Sequence, residues 1–367
     1  MPPFIQKSLV IKTILVLLAL AGVNIAAILI LEKQTAGTVT LRALLLTALI
    51  PSIITLFFVI VEILIPLKKV TSEMKALLIG KKYHHIFTKN IDEIGIMAYF
   101  FNKITESLEH VSNELKERRR MSAELDIARK IQRDLLPKTT PVIPGLSILA
   151  KTRPAVEIGG DAFDFIQAKG ENTVFYIGDV SGHGVPSGLG MMMVNTLVQT
   201  FCDMFDNSYD IVNNTNKYLT PLIQRNMMMT MVMFRWHIPE KQLFYVGAGH
   251  EHIIHIKKET GEIQIKRSGG IALGMLPDIS SMIKEEPLDF DPGDVMILYT
   301  DGISESKNPL GQMLTLKGIK ELIRDVNIQD SSEEIFNFMT GRIGEFIQNT
   351  PQADDMTLMV IKNTSTQ

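Results

Sequence analysis

Thr173-Val174-Phe175-Tyr176-Ile177-Gly178-Asp179-Val180-Ser181-Gly182-His183-Gly184 is a short apolar run that ends in a carboxylate framed by glycines. Five β-branched or aromatic residues in succession favour a strand, and Gly-Asp stops it. The pattern recurs. Val295-Met296-Ile297-Leu298-Tyr299 runs into Thr300-Asp301-Gly302, Gly159-Gly160 precedes Asp161, and Asp354-Asp355 stands before Met356-Thr357. A carboxylate just past an apolar strand is held rigidly while its oxygens face an open cleft. Hard divalent cations take such oxygens, so an all-Asp set points to Mg²⁺ or Mn²⁺. No His pair has zinc-ligand spacing. Taken singly, each Asp-Gly is also what an ordinary turn demands.

Working outward, further strand-like runs occupy residues 229–234, 243–246, 252–256 and 356–361, and helical stretches fall near 187–205 and 333–348. From about Gly145 onward this predicts an α+β domain in which two sheets pack on each other and helices cover them. Upstream, Leu125-Asp126-Ile127-Ala128-Arg129-Lys130-Ile131-Gln132 and Leu135-Leu136 read as a helix, which Pro137, Pro141 and Pro144 end.

In order along the chain, Glu157-Ile158-Gly159-Gly160-Asp161, the Gly178 to Gly184 run, Gly270-Ile271-Ala272-Leu273-Gly274-Met275-Leu276-Pro277-Asp278, Tyr299-Thr300-Asp301-Gly302-Ile303-Ser304-Glu305-Ser306 and Asp354-Asp355-Met356-Thr357 resemble the PPM-type protein phosphatases. Among these they are similar to the bacterial SpoIIE-like branch, often called sigma-factor-regulating phosphatases. The resemblance covers about residues 122–363 and implies a β-sandwich flanked by helices, with two bound divalent cations. It implies that Asp179 bridges the ions with help from the Val180 carbonyl, that Asp301 and Asp354 complete one shell, and that Asp161 holds a metal-bound water or touches the second ion. Asp355 ranks after Asp354 as a metal position. Two bound cations lower the pKa of a shared water and neutralise phosphoryl oxygens during in-line attack, so no nucleophilic side chain is required.

His183 is the candidate acid for the leaving serine oxygen, although it lies four residues after Asp179 where distant eukaryotic members place a His two after. Arg153, further ahead of Asp161 than their phosphate-binding Arg, is the candidate for substrate phosphate. His250 in Gly247-Ala248-Gly249-His250 reads as a hydrogen-bonded structural residue. The resemblance also implies a substrate, a phosphorylated STAS-domain anti-anti-sigma antagonist.

The N-terminal third is different in kind. Residues 13–31 and 43–61 carry no charge and are almost wholly aliphatic. Each can cross roughly 30 Å of hydrocarbon as a helix rising about 1.5 Å per residue. Residues 1–65 therefore read as a transmembrane hairpin rather than a cleaved signal, because a second span follows the first. Lys7 and Lys12 before the first span, and Lys68, Lys69, Lys75, Lys81 and Lys82 after the second, predict both termini and the catalytic domain in the cytoplasm, and the resemblance to a bacterial branch implies the inner membrane of a bacterium. The stretch between the spans, 32–42, also carries Lys33 and Arg42 and is too short for an extracellular sensor. Glu62 reads as a carboxylate reaching interfacial water.

Pro66 can start a new helix, along which Leu67, Val70, Met74 and Leu77 form an apolar seam. A second seam runs Ile94, Met97, Phe101, Ile104, Leu108, Val111, Leu115. With Asp92-Glu93-Ile94-Gly95 opening the second helix, residues 66–118 resemble a HAMP signal-relay domain; a generic coiled-coil stalk is the alternative. Such seams predict a homodimeric four-helix bundle. At Arg118-Arg119-Arg120 the apolar phase slips to Met121, Leu125, Ala128 and Leu135, which reads either as a register-shifting stammer or as a solvated break in the helix. Residues 119–144 then form a linker and 145–363 the catalytic domain.

A net charge of −3 with both signs interspersed leaves no nucleic-acid footprint, and the lone Cys202 excludes an internal disulfide. Ala162 stands where a diguanylate cyclase needs Glu, the glycine loop lacks the Gly-Lys-Ser/Thr of a P-loop, and residues 111–136 offer no phospho-acceptor His for a histidine kinase. The non-enzymatic alternative is a PPM-fold scaffold that binds signalling partners.

Overall fold

The computed structural model describes residues 8–34, 41–87 and 92–365. Lys7 and the side chains of Glu32 and Arg42, on which part of the orientation argument rests, lie outside the described residues. The chain divides into two compact units, Met1–Arg120 and Met121–Gln367.

In the first unit, α1 (Leu9–Gln34) and α2 (Leu41–Val59) carry the aliphatic runs. The segments Leu9–Ile30 and Leu49–Leu78 are long and apolar enough to cross a membrane. Pro66 does not begin a separate helix. A π-helical turn, Ile60–Leu64, joins α2 directly to α3 (Ile65–Leu78), and Pro66 sits in the first turn of α3, where its missing N–H costs little. Val70 of that helix packs with Ile86, Ile94, Ala98 and Phe101. The connector is pinned to α4 (Glu93–Leu135) by Asn102, whose side chain exchanges hydrogen bonds with the Ile86 backbone. Asp92 opens α4 by accepting from the amides of Ile94 and Gly95. The helix runs without interruption through Arg118-Arg119-Arg120, so the phase slip is not a break. Its seam residues Leu108, Val111 and Leu115 are about half exposed.

In the second unit ten strands form two antiparallel sheets. One has the order β1 (Leu146–Arg153), β10 (Met356–Asn363), β9 (Val295–Tyr299), β6 (His252–Ile256), β7 (Ile263–Arg267). The other runs β2 (Ala162–Ala168), β3 (Asn172–Val180), β4 (Met229–His237), β5 (Gln242–Ala248), β8 (Glu286–Leu288). Alternation explains how the sheets pack. Phe175, Ile177, Val232, Phe234, Met296, Leu298, Met359 and Ile361 point into one core between the sheets. Their neighbours Val174, Tyr176, Met231 and Met233 face α5 (Val185–Cys202) and α6 (Ser208–Leu219). Val295, Ile297, Leu358 and Val360 face α8 (Thr315–Ile323) and α9 (Ser332–Ile347). The central strands are thus buried on both sides, which is why they read as continuous apolar runs. The result is the expected α+β sandwich flanked by helices.

The Gly270 to Asp278 motif is a strap. Leu273 exchanges both backbone hydrogen bonds with Met229 at the start of β4, and Asn216 of α6 holds the strap through Gly274 N, Leu276 O and Pro277 O.

Candidate active site

Four motif carboxylates come from strand ends at one edge of the sandwich. Asp179 is the penultimate residue of β3, Asp161 immediately precedes β2, Asp301 opens the single-turn α7 (Asp301–Ser304) after β9, and Asp354 lies just before β10. Antiparallel pairing brings these ends together: Ala162 lies opposite Gly178, and Leu358 opposite Tyr299.

Close backbone approach fixes the geometry. A Cβ on Gly160 would stand 2.7 Å from the Val180 carbonyl oxygen and 3.2 Å from Asp179 Oδ1, so both oxygens converge beside a position only glycine can fill. A Cβ on Gly302 would meet the Asp355 carbonyl oxygen at 1.9 Å, which fixes how tightly α7 lies against the start of β10.

Asp161 is 3% exposed. Its Oδ2 accepts from Thr300 Oγ1 at 2.8 Å and Thr357 Oγ1 at 2.6 Å, both on the opposite sheet's segments. Its Oδ1 is buried with no protein partner. Asp355, also buried, turns both oxygens to backbone: Oδ1 accepts from Ala155 N at 2.7 Å and Oδ2 from Gly160 N at 2.6 Å. Asp354 Oδ1 accepts from Asp355 N at 2.8 Å. Gln132 of α4 clamps the same glycine pair from the other side, donating to Gly159 O at 2.5 Å and accepting from Gly159 N at 3.1 Å.

The electrostatics follow from this crowding. Burial, followed by repulsion from Asp161, Asp301 and Asp354, holds the Asp179 carboxyl far above the usual carboxylate range. Asp161 is raised chiefly by burial, against the hydrogen bonds from Thr357 and Thr300. Asp301 is pushed up to about 6 by burial and then by Asp354, Glu305 and Glu251. Like charges and low dielectric disfavour ionisation together, and a cation would reverse both effects.

The other expected site residues are placed differently. Arg153, exposed at the end of β1, lines a cavity of about 350 Å³ that it shares with Asp354. His183 is exposed just before α5, on the segment that follows Asp179. His250 is buried, with Nδ1 3.0 Å from Thr230 Oγ1, and burial lowers its pKa to about 4, in keeping with a structural residue. Thr300, Thr357 and Gln132, which hydrogen-bond to Asp161 or Gly159, are positions to which sequence reasoning gave no role. The only signal was their place within or beside the motifs.

A family model, Stage II sporulation protein E (SpoIIE), matches residues 169–364, more than half of the chain. The chain belongs to the SpoIIE family of PPM-type phosphatases. The matched stretch contains Asp179, Asp301 and Asp354, while Asp161 lies ahead of it. Phosphoserine phosphatase RsbU of Bacillus subtilis is 24% identical over 257 residues, 70% of this chain and 73% of that protein. Protein IcfG of Synechocystis sp. is 26% identical over 299 residues, which are 74% of this chain but under half of IcfG, 46%. The solved PP2C domain of SiaA from Pseudomonas aeruginosa shares the fold, with a TM-score of 0.57 at 20% identity, covering 67% of this chain and 98% of that one.

Whether the SpoIIE-family site suits metal ions turns on its donors. Among the described residues no three His, Cys, Asp or Glu side chains are drawn tightly enough together to hold an ion as they stand. Every donor is nevertheless a hard oxygen, Asp161 Oδ1 is buried without a partner, and Asp179 Oδ1 and the Val180 carbonyl converge on one point. That set fits Mg²⁺ or Mn²⁺.

Proposed function

We propose that this chain is a membrane-anchored, metal-dependent protein serine/threonine phosphatase acting on a phosphoserine or phosphothreonine regulatory protein, a STAS-domain anti-anti-sigma antagonist. The observation that carries the reading is the ring of strand-end carboxylates whose ionisation is suppressed by burial and mutual repulsion. A protein stores such repulsion where a bound cation offsets it. RsbU's name, a phosphoserine phosphatase, supports the substrate class.

Asp179, the Val180 carbonyl, Asp301, Asp354 and Asp161 Oδ1 would together hold two divalent cations. When bound, the cations supply an acidified water and charge neutralisation for the phosphoryl oxygens. The chain's own residues set the stage. Thr300 and Thr357 fix the Asp161 rotamer, Asp355 and Gln132 hold Gly159-Gly160 so that Asp161 keeps its place, and Arg153 offers a guanidinium to the substrate phosphate. His183, exposed just after Asp179, is the candidate proton donor to the leaving serine.

The apolar helices anchor the chain in a bacterial inner membrane with both termini cytoplasmic. Support comes from Leu9 N and Ser8 Oγ, which both donate to the Glu93 carboxylate, placing the start of α1 beside the start of α4. Residues 66–118 act as a HAMP-like relay that dimerises through its exposed seam, and the linker helix passes the signal to Gly159 through Gln132.

The test uses the full chain in lipid nanodiscs, with aryl phosphate and phosphoserine protein as substrates and Mn²⁺, Mg²⁺ or EDTA added. Metal-dependent turnover that falls at least about 100-fold in Asp301→Asn supports the reading. Absence of turnover with either metal favours the scaffold.

A further inference from the structure

The cavity beside Asp354 is within the range of ligand pockets, which begin at about 300 Å³, and it is lined by two carboxylates and two cations. Its two carboxylates, Asp354 and Glu305, both act on Asp301 and so belong to the metal end. Its two cations, Arg153 and Lys307, pair with no carboxylate among the described residues. Thr350 Oγ1, on the same lining, is buried without a partner. Met313 and Ile347 contribute apolar wall, which strengthens any charge interaction made there.

Lys307 is presented by a fixed hairpin rather than a loose loop. It bridges to Met313, and Asn308 closes the turn by accepting from Leu310 N and Gln312 N, each at 3.0 Å. Leu314 N donates to Ser306 O at 2.9 Å just below. Arg153 is equally fixed in its backbone. It lies opposite Met356 in the sheet, and its carbonyl accepts from Gln352 Nε2 at 2.6 Å.

Resting on the phosphatase reading above, we propose that this cavity is a substrate-specificity subsite in which Lys307 reads the carboxylate of an Asp or Glu flanking the phosphorylated residue. The phosphoryl group itself goes to the metals and Arg153. A second anion is what remains for an exposed ammonium, unpaired among the described residues, on a backbone-fixed hairpin at the cavity wall. Because the cavity abuts Asp354 and an extended chain advances about 3.5 Å per residue, the residue read lies within about three positions of the phosphoserine.

The full chain in nanodiscs with Mn²⁺ is assayed on aryl phosphate and on phosphoserine peptides carrying Glu, Gln or Lys at each of the three positions on either side. Wild type is expected to favour Glu over Gln by about 5-fold in kcat/KM at one position or more. Lys307→Gln should erase that preference and Lys307→Glu should turn it toward Lys, with aryl phosphate turnover held within about two-fold in both. No charge preference in wild type, or a Glu preference that survives Lys307→Glu, overturns the proposal. So does a parallel loss on aryl phosphate in Lys307→Gln, which would put Lys307 in the reaction itself. A wild-type chain inactive even on aryl phosphate would instead remove the phosphatase reading beneath it.

Discussion

Asp355 separates a residue that positions the site from one that binds metal. It is 2% exposed, and its two oxygens accept the amides of Ala155 and Gly160 at 2.7 and 2.6 Å. Hydrogen bonds to a charged group contribute about 1.5–3 kcal/mol each, and orphaned buried amides carry their full desolvation penalty. Asp355→Ala removes both acceptors and should cost about 4 kcal/mol. Asp355→Asn keeps one acceptor and turns an NH₂ toward the other amide, for about 2–3 kcal/mol. For a domain of this size about 1 kcal/mol moves the midpoint by 2–4 °C, so Asp355→Ala should melt roughly 8–16 °C lower in EDTA. The comparison is Asp301→Asn, which relieves repulsion from Asp354, Glu305 and Glu251 and should melt no lower than wild type in EDTA while losing turnover. Melting of the detergent-solubilised full chain, followed with and without Mn²⁺, reads both. If Asp355→Asn leaves the metal-free midpoint unchanged and only weakens the response to Mn²⁺, Asp355 is a ligand and the positioning argument fails.

The same carboxylates set a pH dependence in EDTA. The folded-state pKa values of Asp179, Asp161 and Asp301 lie above the ordinary Asp value of about 3.9, so the folded chain binds protons more tightly than the unfolded one. Stability should therefore rise as pH falls from about 8 to about 5, with Asp301 contributing around pH 6. Saturating Mn²⁺ should flatten the rise, and an Asp179→Asn chain that kept its full size would contradict it. Gly160→Ala places a methyl 2.7 Å from the Val180 carbonyl. It should cost about 1–3 kcal/mol in melting and at least about 10-fold in kcat, and retained activity would mean that the Asp179 and Val180 oxygens need not converge there.

Strand identity was legible where both faces of a strand are buried. Residues 252–256 and 295–299 appear with their expected bounds as β6 and β9, and the carboxylates after such runs fall at one edge of the sandwich. Edge elements were not legible. β7, Ile263–Arg267, alternates over only four residues before a polar end, and β8 is three residues long, so both signals are too brief to stand out. The amphipathic α6 and α8 escaped because their apolar stripes are short and flanked by polar residues. Which way a motif carboxylate turns was beyond reach. Asp354 and Asp355 are adjacent in sequence, but only the fold shows that Asp355 spends its oxygens on amides from Ala155 and Gly160, some 200 residues away in the chain. Gln132 sits in a linker whose helical pattern was plain, yet its clamp on Gly159 depends on how that helix meets the domain.

The first and last strands of the second unit pair along their whole length, from Leu146 opposite Asn363 to Arg153 opposite Met356, and Thr364 N donates to Gly145 O at 2.9 Å. The polypeptide thus enters and leaves the β-sandwich at one point. Tension applied between its two ends would open β1 from β10 one rung at a time, like a zipper, rather than shear eight rungs at once. The last rung to part would be the one beside Arg153 and the catalytic edge, so a chain pulled at its tail while tethered at its head would lose its seam first and its chemistry last.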